Sequence, residues 1–246
     1  MKYQQLTRLF VANFLKEDEI ILSSLPDIHY LVKVMRKRIK DQLLIFNNRN
    51  GEYLVEIADI NAKKITFKII EHVRLPKPER EINLVFAPIK QARIGFLLEK
   101  ATELGATKLI PIQTKHSVVD KVNQTKWQIY VKEAAEQCGR LSIPEITDLV
   151  SLDRFLTDWP NSKSIILCNE KEKLLSLSQH LLNLDQADAV TIMIGPEGGF
   201  SSQELLMLTS KDYITSVHLG ERILRAETAT LVGLALVDGV GNFLKS

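Results

Sequence analysis

The chain has 246 residues, 45% hydrophobic and 25% charged, with a formal net charge of +2, a balance that fits a folded globular protein and excludes low-complexity, collagen-like and strongly basic classes. No amino-terminal apolar segment follows a basic one, so no secretory signal is expected, and the longest apolar run, 229–237, is far too short to cross a bilayer. The two cysteines, Cys138 and Cys168, lack metal-ligand spacing and read as reduced cytoplasmic thiols, with no metal site expected.

The basic excess belongs to the front of the chain: residues 1–80 hold 15 Lys and Arg against 10 Asp and Glu, and residues 81–246 hold 17 against 20. Short β-branched runs fill this part. Leu9-Phe10-Val11, Ile20-Ile21-Leu22, Leu43-Leu44-Ile45-Phe46, Tyr53-Leu54-Val55-Glu56-Ile57 and Ile65-Thr66-Phe67-Lys68-Ile69, separated by turns such as Asn48-Arg49-Asn50-Gly51, predict a small β-barrel. One helix interrupts them. Pro26 and Asp27 open it, Ile28, Leu31, Val32 and Met35 recur as its apolar face, and Lys33, Arg36 and Lys37 point outward. With Arg38 and Lys40 these cations form a cluster of the kind that binds polyphosphate by releasing counterions, or else a solvated helix end. His29 reads as a packing or capping residue. The polar stretch 74–81, with Pro76 and Pro78, is the predicted linker between domains 1–73 and 82–246.

Beyond the linker strand and helix alternate. Strands are predicted at 82–87, 109–112, 164–168, 190–194 and 216–219, the signature of an α/β domain with a mainly parallel sheet. A helix over 93–105 carries Glu99 and Glu103 four residues apart beside Lys100, a solvated ion-pair face rather than an acid and base pair. Next, Trp127, Tyr130, Val131, Ala134, Ala135 and Cys138 make one apolar stripe, with Glu133, Glu136, Gln137 and Arg140 at its polar flanks. The last helix, 226–240, is apolar on nearly every side, with Gly233 permitting close approach. Such a helix is buried, in its own chain or against a second copy.

Two glycine turns stand out near the end. The run Val190-Thr191-Ile192-Met193-Ile194 reads as a buried strand that stops at Gly195, and Gly195-Pro196-Glu197-Gly198-Gly199 follows it. Ser201 and Glu204 then have capping-box spacing ahead of a short helix. The second turn follows Thr215-Ser216-Val217-His218-Leu219 at Gly220. Ligands of parallel sheets collect outside the carboxyl ends of strands, so both turns are expected to line one pocket. There is no Walker A lysine and no G-x-G-x-x-G, which argues against a phosphate cradle.

Taken together, Gly195-Pro196-Glu197-Gly198-Gly199-Phe200 and Leu219-Gly220-Glu221-Arg222-Ile223-Leu224-Arg225-Ala226-Glu227-Thr228-Ala229 resemble the RsmE family, SPOUT-superfamily methyltransferases that modify N3 of one uridine in bacterial 16S rRNA. His29-Tyr30-Leu31-Val32-Lys33-Val34-Met35-Arg36, Lys100-Ala101-Thr102-Glu103-Leu104-Gly105 and Glu133-Ala134-Ala135-Glu136-Gln137-Cys138-Gly139-Arg140 are similar to its other motifs, with Met35 where Leu is usual and Cys138 where Ser is usual. The resemblance implies a PUA-like RNA-binding barrel ahead of a trefoil-knotted SPOUT domain, a homodimer through the last helix, the small ribosomal subunit as partner, and S-adenosyl-L-methionine as methyl donor. Physics alone gives no expectation of a knot.

The implied donor-binding residues are Leu167, Gly195, Pro196, Glu197, Gly198, Gly199, Leu219, Gly220, Ile223, Leu224 and Arg225, with the loop after the 164–168 strand as a third wall. Main chain at the glycines admits a flat adenine, and Leu219, Ile223 and Leu224 offer an apolar slot. Methylating N3 requires loss of the imide proton and stabilisation of charge on the flanking carbonyl oxygens, a task that suits a guanidinium. Arg225 is the first candidate, with Arg8 or Arg93 assisting from a neighbouring subunit. Glu197 has three readings: it takes the proton, bonds the ligand, or locks the turn by accepting main-chain hydrogen bonds. RNA contacts are expected from Arg8, Lys33, Arg36, Arg38, Arg93 and Arg140. The alternative is a non-catalytic ribosome-binding assembly factor whose glycine turns are merely structural.

Overall fold

The computed structural model describes residues 3, 5–12, 19–22, 24–185 and 188–243. They fall into two units, Met1–Pro78 with Ala135–Ser142, and Glu79–Ala134 with Ile143–Ser246. Residues 135–142, which the predicted boundaries place in the second domain, group with the first.

In the first unit β1 (Arg8–Phe10), β2 (Glu19–Leu22), α1 (Leu25–His29), β3 (Gln42–Asn47), β4 (Gly51–Ile60) and β5 (Ile65–Arg74) follow in order. The strands pair as β1-β3-β4-β5-β2, antiparallel except for β1 with β3. Successive strand side chains alternate faces. Leu9, Ile20, Leu22, Leu43, Ile45, Val55, Ile57, Ile65 and Phe67 therefore meet in one core shared by all five strands, and register shifts between β4 and β5 supply the bending that a wrapped sheet needs. The β3–β4 turn is set by Asn47, whose Oδ1 accepts the N–H groups of Arg49 (3.0 Å) and Asn50 (2.7 Å). Gly51 follows at φ +93°, where an added Cβ would collide with the Arg74 carbonyl oxygen.

The helix predicted from Pro26 to Met35 is only half realised. Ser24 caps α1, and Pro26 sits in its first turn. From Tyr30 to Val34 the chain widens into a π-helical turn closed by the Met35 N–H on the Tyr30 carbonyl, 2.9 Å. The extra residue in that turn rotates Met35 off the apolar face. Ile28 and Leu31 are buried and Met35 is exposed. Arg36 and Lys40 then adopt φ +53° and +75°, which costs each about 1 kcal/mol as residues with a Cβ. Bonds from Lys37 N to Leu31 O, Arg38 N to Asp41 Oδ2 and Lys40 N to Ile57 O hold the loop in that shape.

A buried carboxylate organises the outer face of this sheet. Glu52 accepts Arg8 Nε at 2.7 Å on one oxygen and Arg74 Nε at 2.8 Å on the other. Arg8 lies over the Phe46 ring, 4.1 Å from its centroid, and its terminal nitrogens donate to the carbonyl oxygens of Ala135, Glu136 and Arg140, while Arg74 reaches Gly139 O. Ala135 and Glu136 lie in the last turn of a helix and Gly139 and Arg140 just past it, where carbonyls lack the main-chain donors of a continuing helix, and these bonds tie 135–142 to this unit. Glu136, expected at a polar flank, is instead buried and accepts the Phe10 N–H at 3.0 Å. Cys138, expected in the apolar stripe, is exposed.

The second unit contains β6 (Ile82–Phe86), α2 (Gln91–Glu103), β7 (Lys108–Gln113), most of α3 (Gln124–Cys138), β8 (Glu145–Ile146), β9 (Val150–Ser151), α4 (Leu152–Asp158), β10 (Ile165–Cys168), α5 (Leu177–Leu182), β11 (Val190–Ile194), α6 (Ser202–Thr209), β12 (Ile214–Val217) and α7 (Ala226–Phe243). Its strands run parallel in the order β12-β10-β11-β6-β7-β8, with β9 beside β7. Both faces are covered, as a parallel sheet requires. Leu84, Phe86, Ile166, Ile192, Ile194 and Val217 share a core with Ile94, Leu97, Val131, Leu177 and Leu234 of the helices. Val85, Ile110, Ile112, Ile165, Leu167, Met193 and Ile214 share the other with Phe155 and Leu208.

Three expectations shift. The strand predicted at 216–219 runs from Ile214 to Val217, since pairing with β10 sets its limits. Helix α7 is not buried all round: Ala226, Thr230, Leu234 and Val237 form its buried stripe, whereas Leu231, Val232, Leu236 and Val240 are half-exposed. At Gly233 an added Cβ would meet Ile192 at 3.6 Å, ordinary contact, so its lack of a side chain does not set the approach. The solvated pair on α2 is as read, with Lys100 Nζ 2.7 Å from Glu103.

Arg8→Ala is expected to lower the unfolding free energy of the full chain by about 2–3 kcal/mol, because Glu52 keeps its burial and loses one of two partners. Urea denaturation measures it, and Arg8→Lys should recover less than half, since an ammonium cannot serve a carboxylate and three carbonyls in one fork.

Candidate active site

Strand β10 lies between β11 and β12, with Cys168 in register with Ile194 on one side and Val217 on the other. Three adjacent parallel strands thus end at one level. The loops that leave them, 169–176, 195–201 and 218–225, emerge side by side at the carboxyl edge of the sheet, and two of them are the glycine turns.

Several contacts shape the 195–201 loop. Pro196 is buried, its carbonyl accepts the Gly199 N–H at 2.8 Å, and Gly199 stands at φ +68°. At Gly195 an added Cβ would lie 2.8 Å from the Phe200 ring, so only glycine lets that ring pack under the turn. His116, from the loop after β7, covers Gly198, and its ring Nδ1 is 3.0 Å from Gly199 O. The loop ends in the capping box that the spacing predicts: Ser201 Oγ accepts the Glu204 N–H, and Glu204 accepts the Ser201 N–H at 2.8 Å and the Lys115 N–H at 2.7 Å. Burial raises the Glu204 carboxyl, but the N–H groups of Lys115 and Ser201 outweigh it and hold the group below the ordinary carboxylate range.

The other two loops interlock. Asn169 N–H donates to Val217 O, His218 N–H to Leu175 O, and Leu177 N–H to His218 O, at 2.9–3.0 Å. Ser176 pairs with His218 as an isolated parallel bridge and caps α5. Gly220 takes φ +118° and donates its N–H to His218 Nδ1 at 3.1 Å. Glu170 brings a carboxylate oxygen to 3.2 Å from where a Cβ on Gly199 would sit. At the end of β10 burial pushes the Cys168 thiol up to about 12, so it packs as a neutral side chain.

Of the residues named from sequence, Gly195, Pro196, Glu197, Gly198, Gly199, Leu219, Gly220, Ile223, Leu224 and Arg225 stand on two of these neighbouring loops. Leu219 and Leu224 are half-buried, whereas Ile223 is 86% exposed and Arg225 is exposed. The Leu167 side chain is fully buried in the core shared with Phe155, on β10 itself rather than on the loop beyond it. Lys33, Arg36 and Arg38 are exposed on the first unit, where Arg8 and Arg140 also lie. Glu197 pairs with another element and not with its own turn: it accepts from Arg93 Nη1 of α2 at 3.3 Å, and the same nitrogen donates to Glu227 at 3.0 Å.

Sequence reasoning gave no individual role to Glu227, His116 or Glu170. For Glu227 a signal existed, a carboxylate in the first turn of an otherwise apolar helix; for the others none did. A cavity of about 350 Å³ lined by Gln113, Lys115, Ser151, Asp153, Ser201 and Glu204 lies at the capping box, on the end of the 195–201 loop and apart from the 169–176 and 218–225 loops.

Comparison with known proteins gives a consistent result. The RNA methyltransferase domain profile matches residues 76–238, and the RNA methyltransferase PUA domain profile matches 24–70. A Rickettsia conorii protein named ribosomal RNA small subunit methyltransferase E is 35% identical and aligns over 98% of each chain. One of that name from Bacillus subtilis is 30% identical over 86% of this chain and 87% of its own. A Legionella pneumophila protein solved with the cofactor SAM superposes with a TM-score of 0.82 at 26% identity, covering 96% of this chain and 98% of that one.

Glu204→Gln is expected to cost about 1 kcal/mol at neutral pH by weakening the cap. Because the folded carboxyl sits below its ordinary value, its contribution is present above the unfolded pKa and is lost as pH falls through the folded one. Urea unfolding curves of variant and wild type should therefore converge in acid.

Proposed function

Since the chain belongs to the RNA methyltransferase family that includes the ribosomal RNA small subunit methyltransferase E proteins, we propose that it transfers a methyl group from S-adenosyl-L-methionine to N3 of a uridine in 16S rRNA. The observation that carries this reading is the convergence of the 169–176, 195–201 and 218–225 loops at three adjacent strand ends, in a chain that superposes along nearly its full length on a SAM-bound protein. Similarity to methyltransferases over 98% of the chain sets aside the non-catalytic assembly factor.

The residues fit the donor. Gly198 and Gly199 present bare main chain, Leu219 and Leu224 supply apolar walls, and Ile223 and Leu174 stand exposed on two of the loops. Glu170 beside Gly199 and Glu197 in the turn bring carboxylates to the loops, which suits a sulfonium. When bound, the donor supplies an electrophilic methyl group. Arg225, exposed on the 218–225 loop, holds the uracil carbonyl oxygens and stabilises charge on them as the N3 proton leaves. Leu167 supports the donor loop from below. Lys33, Arg36, Arg38 and Arg140 contact RNA through phosphate. Arg8, with its donors engaged by Glu52 and three carbonyls, acts by holding the first unit together.

Two further readings belong to the same proposal. A homodimer in the cytoplasm forms through the half-exposed Leu231, Val232, Leu236 and Val240 of α7. The trefoil knot is supported by the path of the chain after β12. His218 is bonded on both sides to the 175–177 segment, and the chain then returns from the sheet edge so that α7 packs on α2, α5 and β11.

Mapping 16S rRNA by mass spectrometry in cells lacking the protein should show loss of one methyluridine, restored by the wild-type gene. Arg225→Ala is expected to lower kcat by about 100-fold or more with donor binding retained, and undiminished methylation by that variant would remove Arg225 from the chemistry.

A further inference from the structure

We propose that Arg93 and Glu227 act as a clamp that fixes the Gly195–Gly199 turn in its donor-binding shape, so that both are positioning residues for the methyl donor and Arg93 is not an RNA contact; this rests on the function proposed above. A single nitrogen, Arg93 Nη1, joins three elements: α2, which carries it, the first turn of α7 through Glu227 at 3.0 Å, and the turn through Glu197 at 3.3 Å. Glu227 is 9% exposed, and its Oε2 is buried with no hydrogen-bond partner among the described residues.

A buried carboxylate with one oxygen unsatisfied adds little stability, and an apolar side chain of similar size would fill the same space without that penalty. What the carboxylate provides is an anchor. The first turn of a helix favours an anion, and that anion holds the guanidinium where it reaches Glu197. Without it Arg93, 40% exposed on its side chain, is free to swing into solvent, and the exposed Glu197 loses its tie to the sheet domain. Charge points the same way. One cation between two carboxylates leaves the cluster at −1, an environment that repels RNA phosphate and favours a sulfonium. Preordering a loop raises affinity by lowering what binding costs in entropy.

The test uses the full-length chain and calorimetric titration with S-adenosylmethionine and, separately, with a 16S rRNA fragment, alongside thermal melts without ligand. Glu227→Met and Arg93→Ala should each weaken donor binding about tenfold and leave RNA affinity unchanged, and Glu227→Met should melt at or above the wild-type temperature. The double variant should lose no more than either single one, because each breaks the same bridge. Donor affinity equal to wild type in both single variants overturns the clamp, as does a loss of RNA affinity in Arg93→Ala with donor binding intact. A lowered melting temperature in Glu227→Met that accounts for its weaker binding reduces Glu227 to a structural residue and also overturns it. A wild-type chain that binds no donor overturns the functional reading itself, and the clamp with it.

Discussion

The parallel pairing of β10 with both of its neighbours is the constraint on which the site depends. Cys168 has Ile194 on one flank and Val217 on the other, so three loops distant in sequence leave the sheet at one height. The register is specified by burial on both faces. In β11 all five residues are buried, with Ile192 and Ile194 in one core and Met193 in the other, and a slip of one residue would exchange the two sets. It would also move Gly195 off the strand end, where Phe200 needs the space that a glycine leaves.

Each unit contains a buried carboxylate paired with arginine, and the two differ in how fully they are satisfied. Glu52 has an arginine on each oxygen, and those arginines satisfy four carbonyl oxygens in the 135–140 stretch. A fully satisfied network of this kind rigidifies and specifies one arrangement. Glu227 has Arg93 on one oxygen and no partner on the other. Departures from local optimality of this sort concentrate at functional sites, and this one lies between α7 and the glycine turn.

Much of the fold was legible because burial on both faces of a parallel sheet leaves long apolar runs, and alternation in the first unit leaves a period of two. The Ser201–Glu204 cap was legible from spacing alone. The π-helical turn was not: the apolar residues Ile28, Leu31, Val32 and Met35 fit an ordinary helix equally well, and only the hydrogen bond from Met35 to Tyr30 shows the wider turn. Helices α4 and α5, at seven and six residues, are too short for periodicity to register and are set by their serine caps. In the site, the two glycine turns were readable as backbone requirements, and the third loop entered only through the family pattern. The partner of Glu197 was not readable at all. Arg93 lies 104 positions away, and ion pairs across such distances leave no trace in a single sequence. Glu136 shows the same limit, since a glutamate on a helix flank reads as solvated until a strand N–H is found facing it.

The exposed side chains on the site loops follow from the same logic as the satisfied ones. A lone apolar residue at a surface calls for no account. Leu174 at 91% exposure and Ile223 at 86%, however, stand on two of the three loops that leave adjacent strand ends. Each forgoes about 1.5–3 kcal/mol available from burial. The loops cannot fold these side chains inward, because their backbones are already committed: Leu174 N–H and Lys173 N–H both donate to Glu172, Leu175 O and Leu177 N–H are tied to His218, and Gly220 is turned to φ +118°. Hydrogen bonding therefore outweighs hydrophobic burial here. Apolar walls that are held in place by their own main chain, and not drawn into the core, remain available to a flat ligand or to a second copy of the chain.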